Sequence, residues 1–189
     1  MSHSFGAGVG TVPYDSHTTN SFVSTITLDV NDTSDSNRLV YVNGTFDVSI
    51  DGNQYLSFKF LDSSGNTLNS RYSSKASRTT SRFMTTSSSN LITNGYWNLG
   101  TANSSNVLYG EMQDVQIYLD MNRTSNGAGR VSGYWTTYYE NTGGVPIGAN
   151  GSFVLASNTI VTALEFSSNG PGSGTVRGNC RSQVILGRY

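Results

Sequence analysis

The sequence predicts an all-β protein folded as a sandwich of two antiparallel sheets. Short segments of alternating apolar and polar residues recur along the chain, turn-forming dipeptides separate them, and no segment carries the apolar stripe of an amphipathic helix. The chain has 189 residues, of which 35% are hydrophobic, and this content suffices for one core rather than two. We therefore expect a single sandwich domain.

The N-terminal segment lacks this alternation. Residues 1–20 contain Pro13 and both histidines, His3 and His17, without any apolar periodicity. They predict an extended N-terminal arm, followed by the sandwich domain over residues 21–189. The first predicted strand begins at this boundary, because alternate residues there share one face: Phe22, Ser24, Ile26, Leu28 and Val30.

Three β-rich runs follow, at residues 38–42, 45–50 and 54–61. The dipeptides Asn43-Gly44 and Asp51-Gly52 separate them, and such pairs favour hairpin turns, so the simplest prediction is a meander. A further turn is predicted at residues 64–66. The expected inward-facing residues alternate along the second and third runs: Phe46, Val48, Ile50, Leu56, Phe58 and Phe60.

The remaining chain divides into a polar segment and a series of strands. Residues 69–90 hold few apolar side chains and predict an excursion with at most one short edge strand. Alternation returns in residues 107–121, where Val115, Ile117 and Leu119 share a face. It continues in short runs at 130–140, 152–156, 158–166, 174–178 and 182–187.

Composition excludes several classes of partner. Only 12% of residues are charged and the net charge is -1, whereas Ser, Thr, Asn and Gly make up nearly half of the chain. Nucleic acid is not an expected partner, because phosphate binding needs clustered Lys and Arg. A membrane is not expected either, because no apolar run reaches about 18 residues and residues 1–10 do not resemble a signal peptide. Cys180 is the single cysteine and has no partner for an internal disulfide.

The sequence offers no catalytic or metal-binding constellation, so we expect no enzymatic activity and no cofactor. Both histidines fall in the predicted arm, away from any Ser-His-Asp or Cys-His arrangement. Asp114 and Asp120 lie with Glu111 near one predicted strand, but the two aspartates fall on its polar, solvated face. A Ca²⁺ site at Asp32 and Asp35 is a minor alternative.

Two groups of side chains are candidates for interface or glycan contacts. One group is aromatic and lies on a single strand, where it fits a core or a subunit interface better than a sugar-stacking surface: Tyr134, Trp135, Tyr138 and Tyr139. The other group is basic and recurs every three or four residues in the polar excursion, where a solvated loop is the favoured interpretation: Arg71, Lys75, Arg78 and Arg82.

The order of these blocks resembles small phage virion proteins with a jelly-roll sandwich, namely capsid decoration proteins and distal tail or baseplate modules. Three places carry the resemblance: residues 55–72, the pair of segments 92–100 and 106–119, and the ending 160–189 with its Ser/Gly-rich turn and apolar final strand. The sequence departs from the pattern where Gly178, Asn179 and Cys180 interrupt that final strand. The resemblance implies a jelly-roll-type fold, a homotrimer, a position on the outer surface of the virion, and no enzymatic activity.

The expected function is that of a capsid decoration, or cement, protein. It would be synthesised in the host cytoplasm and would bind copies of itself and the major capsid protein or other virion proteins, with the N-terminal arm reaching a neighbouring subunit. The alternative is a tail-fibre or baseplate module that recognises a host-surface glycan, for which the aromatic group on residues 134–139 would supply stacking surfaces.

Overall fold

The computed structural model describes residues 10–31, 37–49, 55–68, 76–80, 84–85, 92–93, 96–99, 112–123, 129–140, 146–157, 160–169 and 174–186. These residues form thirteen strands: β1 Gly10–Val23, β2 Thr25–Asp29, β3 Asn37–Val48, β4 Tyr55–Leu61, β5 Ala76–Thr80, β6 Met84–Thr85, β7 Ile92–Thr93, β8 Tyr96–Asn98, β9 Gln113–Arg123, β10 Gly129–Glu140, β11 Pro146–Ser157, β12 Ala163–Asn169 and β13 Val176–Leu186.

The strands form two antiparallel sheets. The larger sheet has eight strands in the order β1-β13-β3-β9-β10-β11-β5-β6, and the smaller has five in the order β2-β12-β4-β8-β7. The described residues contain no helix. The prediction of an all-β, two-sheet antiparallel sandwich is therefore confirmed, and the arrangement is compatible with a jelly roll.

The core lies between the sheets and is built from the alternation seen in the sequence. The predicted inward residues of β2, β4 and β9 are all buried, as are Phe46 and Val48 on β3. Aromatic rings join the two layers, with Phe46 and Phe166 centroids 4.6 Å apart and Phe58 and Phe153 centroids 5.8 Å apart. Each buried Phe stabilises the fold by about 1.5–3 kcal/mol.

Residues 10–20 are not a separate arm, because they belong to β1 at the edge of the larger sheet. β1 pairs with β13 from Gly10↔Leu186 to Val23↔Val176, and the Asp15 carboxylate accepts a hydrogen bond from the Asp29 N–H at 2.8 Å. Apolar alternation does not reveal this strand, because β1 lies at the sheet edge and is exposed along much of its length. Backbone hydrogen bonds to β13 hold it in place. The first predicted strand also divides: the chain bends at Ser24 and passes from the larger sheet to the smaller.

The turn predicted at Asn43-Gly44 is wrong, since β3 runs through it without a break. Gly44 instead permits a close approach of β13. A Cβ there would lie 2.7 Å from the Asn179 carbonyl oxygen and 2.8 Å from the Cys180 Cβ. The predicted meander is also wrong, because β3 and β4 lie in different sheets and β4 pairs with β12.

Other turn and strand predictions have mixed outcomes. The turn at residues 64–66 is confirmed, with Gly65 at φ 78° and the Asp62 carboxylate accepting the backbone N–H groups of Ser64 and Asn66 at 2.8 Å. The final strand is not interrupted: β13 is continuous, and Gly178 adopts φ 150°, which favours glycine. In the excursion, β5 and β6 make two short strands rather than one. Asp51-Gly52 lies outside the described residues.

Candidate functional site

The outer face of the larger sheet is polar and carries exposed aromatic residues. On β10 the side chains alternate strictly: Tyr134 and Tyr138 are 49% and 65% exposed, whereas Trp135 and Tyr139 are 0% and 5% exposed. Trp135 and Tyr139 are therefore core residues, which is one of the two placements favoured for this group, and their side chains are not available for the alternative glycan contact. Tyr134 and Tyr138 remain available on the outer face.

Three tyrosines form a row across this face, which we call the tyrosine row: Tyr41 on β3, Tyr118 on β9 and Tyr134 on β10. They are paired in register, Tyr41 opposite Tyr118 and Tyr118 opposite Tyr134. The ring centroids are 4.7 Å apart in the first pair and 4.6 Å apart in the second, where the rings stack. Such cross-strand pairs stabilise a sheet by roughly 0.2–1 kcal/mol each.

The hydroxyl groups of Tyr41 and Tyr134 remain protonated at neutral pH. Desolvation, followed by the neighbouring Tyr118, raises the pKa of Tyr41 above its ordinary value of 10.0. The same two causes, in the same order, raise the pKa of Tyr134. A protonated phenol both donates and accepts hydrogen bonds, so the row offers polar groups as well as ring surface.

Beside the row lies a cleft of about 530 Å³, which we call the polar cleft. It crosses five strands, from Ser16 and Thr18 on β1 to Tyr138 on β10. Its volume is within the range of about 300–1,000 Å³ typical of small-molecule sites, but such sites are mostly apolar. The outward side chains that line this cleft are instead amides, hydroxyls and charges: Ser16, Thr18, Asn43, Thr45, Asp114, Gln116, Tyr138, Asn179 and Arg181.

Hydrogen bonds orient the charged groups of the polar cleft. The Arg181 Nε donates to the Asn43 Oδ1 at 2.9 Å, and the Thr45 hydroxyl donates to the Asp114 Oδ1 at 3.1 Å. Both pairs join residues that face each other across adjacent strands. The sheet thus presents a cation and a carboxylate at separate, fixed positions, surrounded by neutral donors and acceptors.

The structure describes none of the side chains of the basic group in the excursion. Arg71, Lys75 and Arg82 lie outside the described residues, as does the side chain of Arg78, whose backbone is in β5. Residues 76–80, which include Arg78, form a strand. A role of these side chains in an interface or glycan contact stays a prediction.

The residues considered for catalysis or metal binding that the structure describes do not form one cluster. His17 is exposed on β1, Asp114 points out of β9 as the alternation predicts, and His3, Asp32, Asp35 and Glu111 lie outside the described residues. Within the described ranges no group of three His, Cys, Asp or Glu side chains could hold a metal ion. Burial, followed by the Asp15 charge, raises the pKa of the Cys180 thiol to about 12.

Sequence reasoning missed most of the polar cleft and two members of the tyrosine row. Tyr41 and Asn43 on β3, and Gln116 and Tyr118 on β9, alternate with buried aliphatic residues, which marks them as outward-facing. The sequence contains that signal. It does not show that these four residues lie near Arg181, because their proximity depends on the pairing of β13 with β3 across more than a hundred residues.

A comparison of this chain with known protein families, with curated proteins and with solved structures finds no match. Over the described ranges, no helix has the length and the apolar character needed to cross a membrane.

Proposed function

We propose that this protein is a glycan-binding module that recognises a host-surface saccharide through the outer face of its eight-stranded sheet. The observation that carries the proposal is the polar cleft beside the tyrosine row. Sugars present hydroxyl groups that pair with amides and carboxylates, and apolar ring faces that pack on aromatic rings. Tyr138 supplies an exposed ring at the cleft itself.

The chemistry of the cleft disfavours other ligand classes. Nucleic acid binding needs clustered cations, and Arg181 is the one Lys or Arg side chain among the described residues that line the cleft. An apolar cofactor would require an apolar lining. A saccharide fits a volume of about 530 Å³ bordered by neutral hydrogen-bonding groups.

The virion context of the proposal comes from the resemblance to jelly-roll virion proteins. Of the two functions that this resemblance implies, receptor recognition now has the stronger support. Shell attachment relied on an arm of 20 residues, and half of that segment lies in β1. Capsid decoration, the homotrimer and binding to the major capsid protein stay predictions, which copy number per particle and sedimentation would test.

The proposal is tested by measuring saccharide binding on a glycan array and then by titration calorimetry. We expect wild-type protein to bind, and Tyr138→Ala and Gln116→Ala each to lose about 3- to 10-fold in affinity, as expected for about 1 kcal/mol per contact. Thr27→Ala is the control, because Thr27 is exposed on β2 in the other sheet. The proposal would be contradicted if no saccharide on the array bound the protein, or if all three variants lost affinity equally.

A further inference from the structure

Two arginines on the outer face of β13 have different partners. Arg177 lies opposite Asp47 on β3 and binds it through two nitrogens, Nε at 2.9 Å and a terminal nitrogen at 2.7 Å from the same carboxylate oxygen. Arg181 lies opposite Asn43 on the same strand and binds its amide oxygen through Nε at 2.9 Å. Each arginine lies directly opposite its partner on β3, but only Arg177 faces a carboxylate.

Among the described residues, no carboxylate neutralises the charge of Arg181. In the described part of the chain, ion pairs join Lys59 to Glu165 and Arg177 to Asp47, and none includes Arg181. Arg181 is exposed and lines the polar cleft. The guanidinium carries five N–H donors, so the single bond to Asn43 orients it and leaves the donors on its two terminal nitrogens for a ligand.

The carboxylate of the cleft is too far away to serve as the partner. Asp114 lies on β9, two strands from Arg181 on β13, which corresponds to a lateral separation of about 9–10 Å. Asp114 already accepts the hydroxyl of Thr45. The cleft is consequently polarised, with a cation near β13 and an anion near β9, and a ligand with an acidic end fits it in one direction.

We infer that the saccharide recognised by the polar cleft is acidic, such as a uronate or sialic acid, and that Arg181 binds its carboxylate. This inference rests on the proposed glycan-binding function and specifies its ligand class. Asn43 holds the guanidinium in place, where an Asp would neutralise it as Asp47 neutralises Arg177. Asp114 and Gln116 bind hydroxyl groups at the opposite end.

The test compares acidic saccharides with neutral analogues of the same backbone. Oligogalacturonate is paired with its methyl ester, and sialyllactose with lactose, within a wider array of acidic and neutral glycans. We expect the bound glycans to be acidic and their affinity to fall as salt rises, because charge interactions at an exposed site are screened. Arg181→Gln should weaken acidic binding by about 10- to 100-fold, the range for a charge-assisted bond.

Three further variants separate charge from structure. Arg181→Lys keeps the charge and should restore part of the affinity. Asn43→Asp places a carboxylate opposite Arg181, reproducing a pair that the sheet already accommodates at Arg177, and should weaken acidic binding about tenfold or more with unchanged thermal stability. Asp114→Asn removes a like charge from the cleft and should strengthen binding of acidic ligands while weakening that of neutral ones.

The outcomes distinguish the two proposals. Neutral glycans bound as tightly as acidic ones, or full acidic binding by Arg181→Gln, would overturn the acidic-ligand inference and leave the glycan-binding function standing. Absence of binding to every saccharide would overturn both. Loss of acidic binding in Arg181→Gln, with recovery in Arg181→Lys, would support both.

Discussion

The two faces of β10 differ in environment although their residue types are nearly the same. The outward side chains are Tyr134, Thr136 and Tyr138, and the inward ones are Trp135, Thr137 and Tyr139. The inward side chains are buried, whereas both outward tyrosines are exposed. Side-chain chemistry therefore does not decide which face of this strand is core. The register with β9 decides it, because Val115, Ile117 and Leu119 pair with inward positions.

Thr137, the polar residue on the inward face of β10, shows how the core accommodates a chain rich in hydroxyl side chains. Thr137 is fully buried, and its hydroxyl donates to the Asp114 carbonyl at 2.9 Å while it accepts a bond from the Gln113 Nε2 at 2.7 Å. Gln113 also donates to the Leu99 carbonyl at 2.8 Å. A hydroxyl inside the sandwich is tolerated because its hydrogen bonds are made there.

The largest expected contrast is between Trp135 and its neighbour Tyr134. Trp135→Ala should lower the free energy of unfolding by about 3–5 kcal/mol, because it leaves a large cavity. Tyr134→Ala should cost about 1 kcal/mol, since it loses one ring contact at the surface. Urea denaturation measures both. Should Trp135→Ala fail to fold, Trp135→Phe provides a milder variant, and equal effects at the two positions would refute the assignment of faces.

The contrast extends to β11, where Gly151 faces Trp135. A Cβ at Gly151 would lie 2.6 Å from two indole carbons, so Gly151→Ala should destabilise the fold by about 1–3 kcal/mol. Ser152→Ala, at the next, exposed position, should change stability by less than about 0.5 kcal/mol. Combining Gly151→Ala with Trp135→Phe should cost less than the sum of the two, because the smaller ring relieves the contact. If the losses in stability were additive, a steric contact between residue 151 and the ring at position 135 would be contradicted.

A smaller difference is expected between the two threonines. Thr137→Val removes the hydroxyl that links Gln113 to the Asp114 carbonyl, and should lower the free energy of unfolding by about 1–2 kcal/mol. Thr136→Val, on the outward face, should be nearly neutral. Thermal or urea unfolding of the pair measures this difference, and a neutral Thr137→Val would show that the buried network contributes nothing net.

The smallest effect at neutral pH concerns Cys180, the inward neighbour of Arg181. Its pKa is raised to about 12, so the folded protein should not react with a thiol reagent at pH 8, whereas Asn179→Cys in a Cys180→Ser background should react rapidly. The folded state keeps the proton that the unfolded chain loses above pH 9.0. Stability should therefore fall from about pH 9 towards pH 12, and Cys180→Ser should reduce that slope.

The candidate site was predictable only in part. The sequence marked Tyr134 and Tyr138 as candidates, but it grouped them with two core residues because β10 carries aromatic side chains on both faces. Arg181 is not among these candidates, and the sequence predicts an interruption of its strand at residues 178–180. The polar cleft depends on β1, β13, β3, β9 and β10 lying side by side, and no local pattern specifies that order.

Alternation between neighbouring residues is a local property, so the sequence by itself determined the all-β class, the buried rows of β2, β4 and β9, and the turn at residues 64–66. Only the tertiary structure decided that β1 pairs with β13, that Asn43-Gly44 continues a strand, and that Arg181 faces an amide. These outcomes depend on backbone hydrogen bonds and close approaches between residues far apart in the chain, which override local turn and strand preferences.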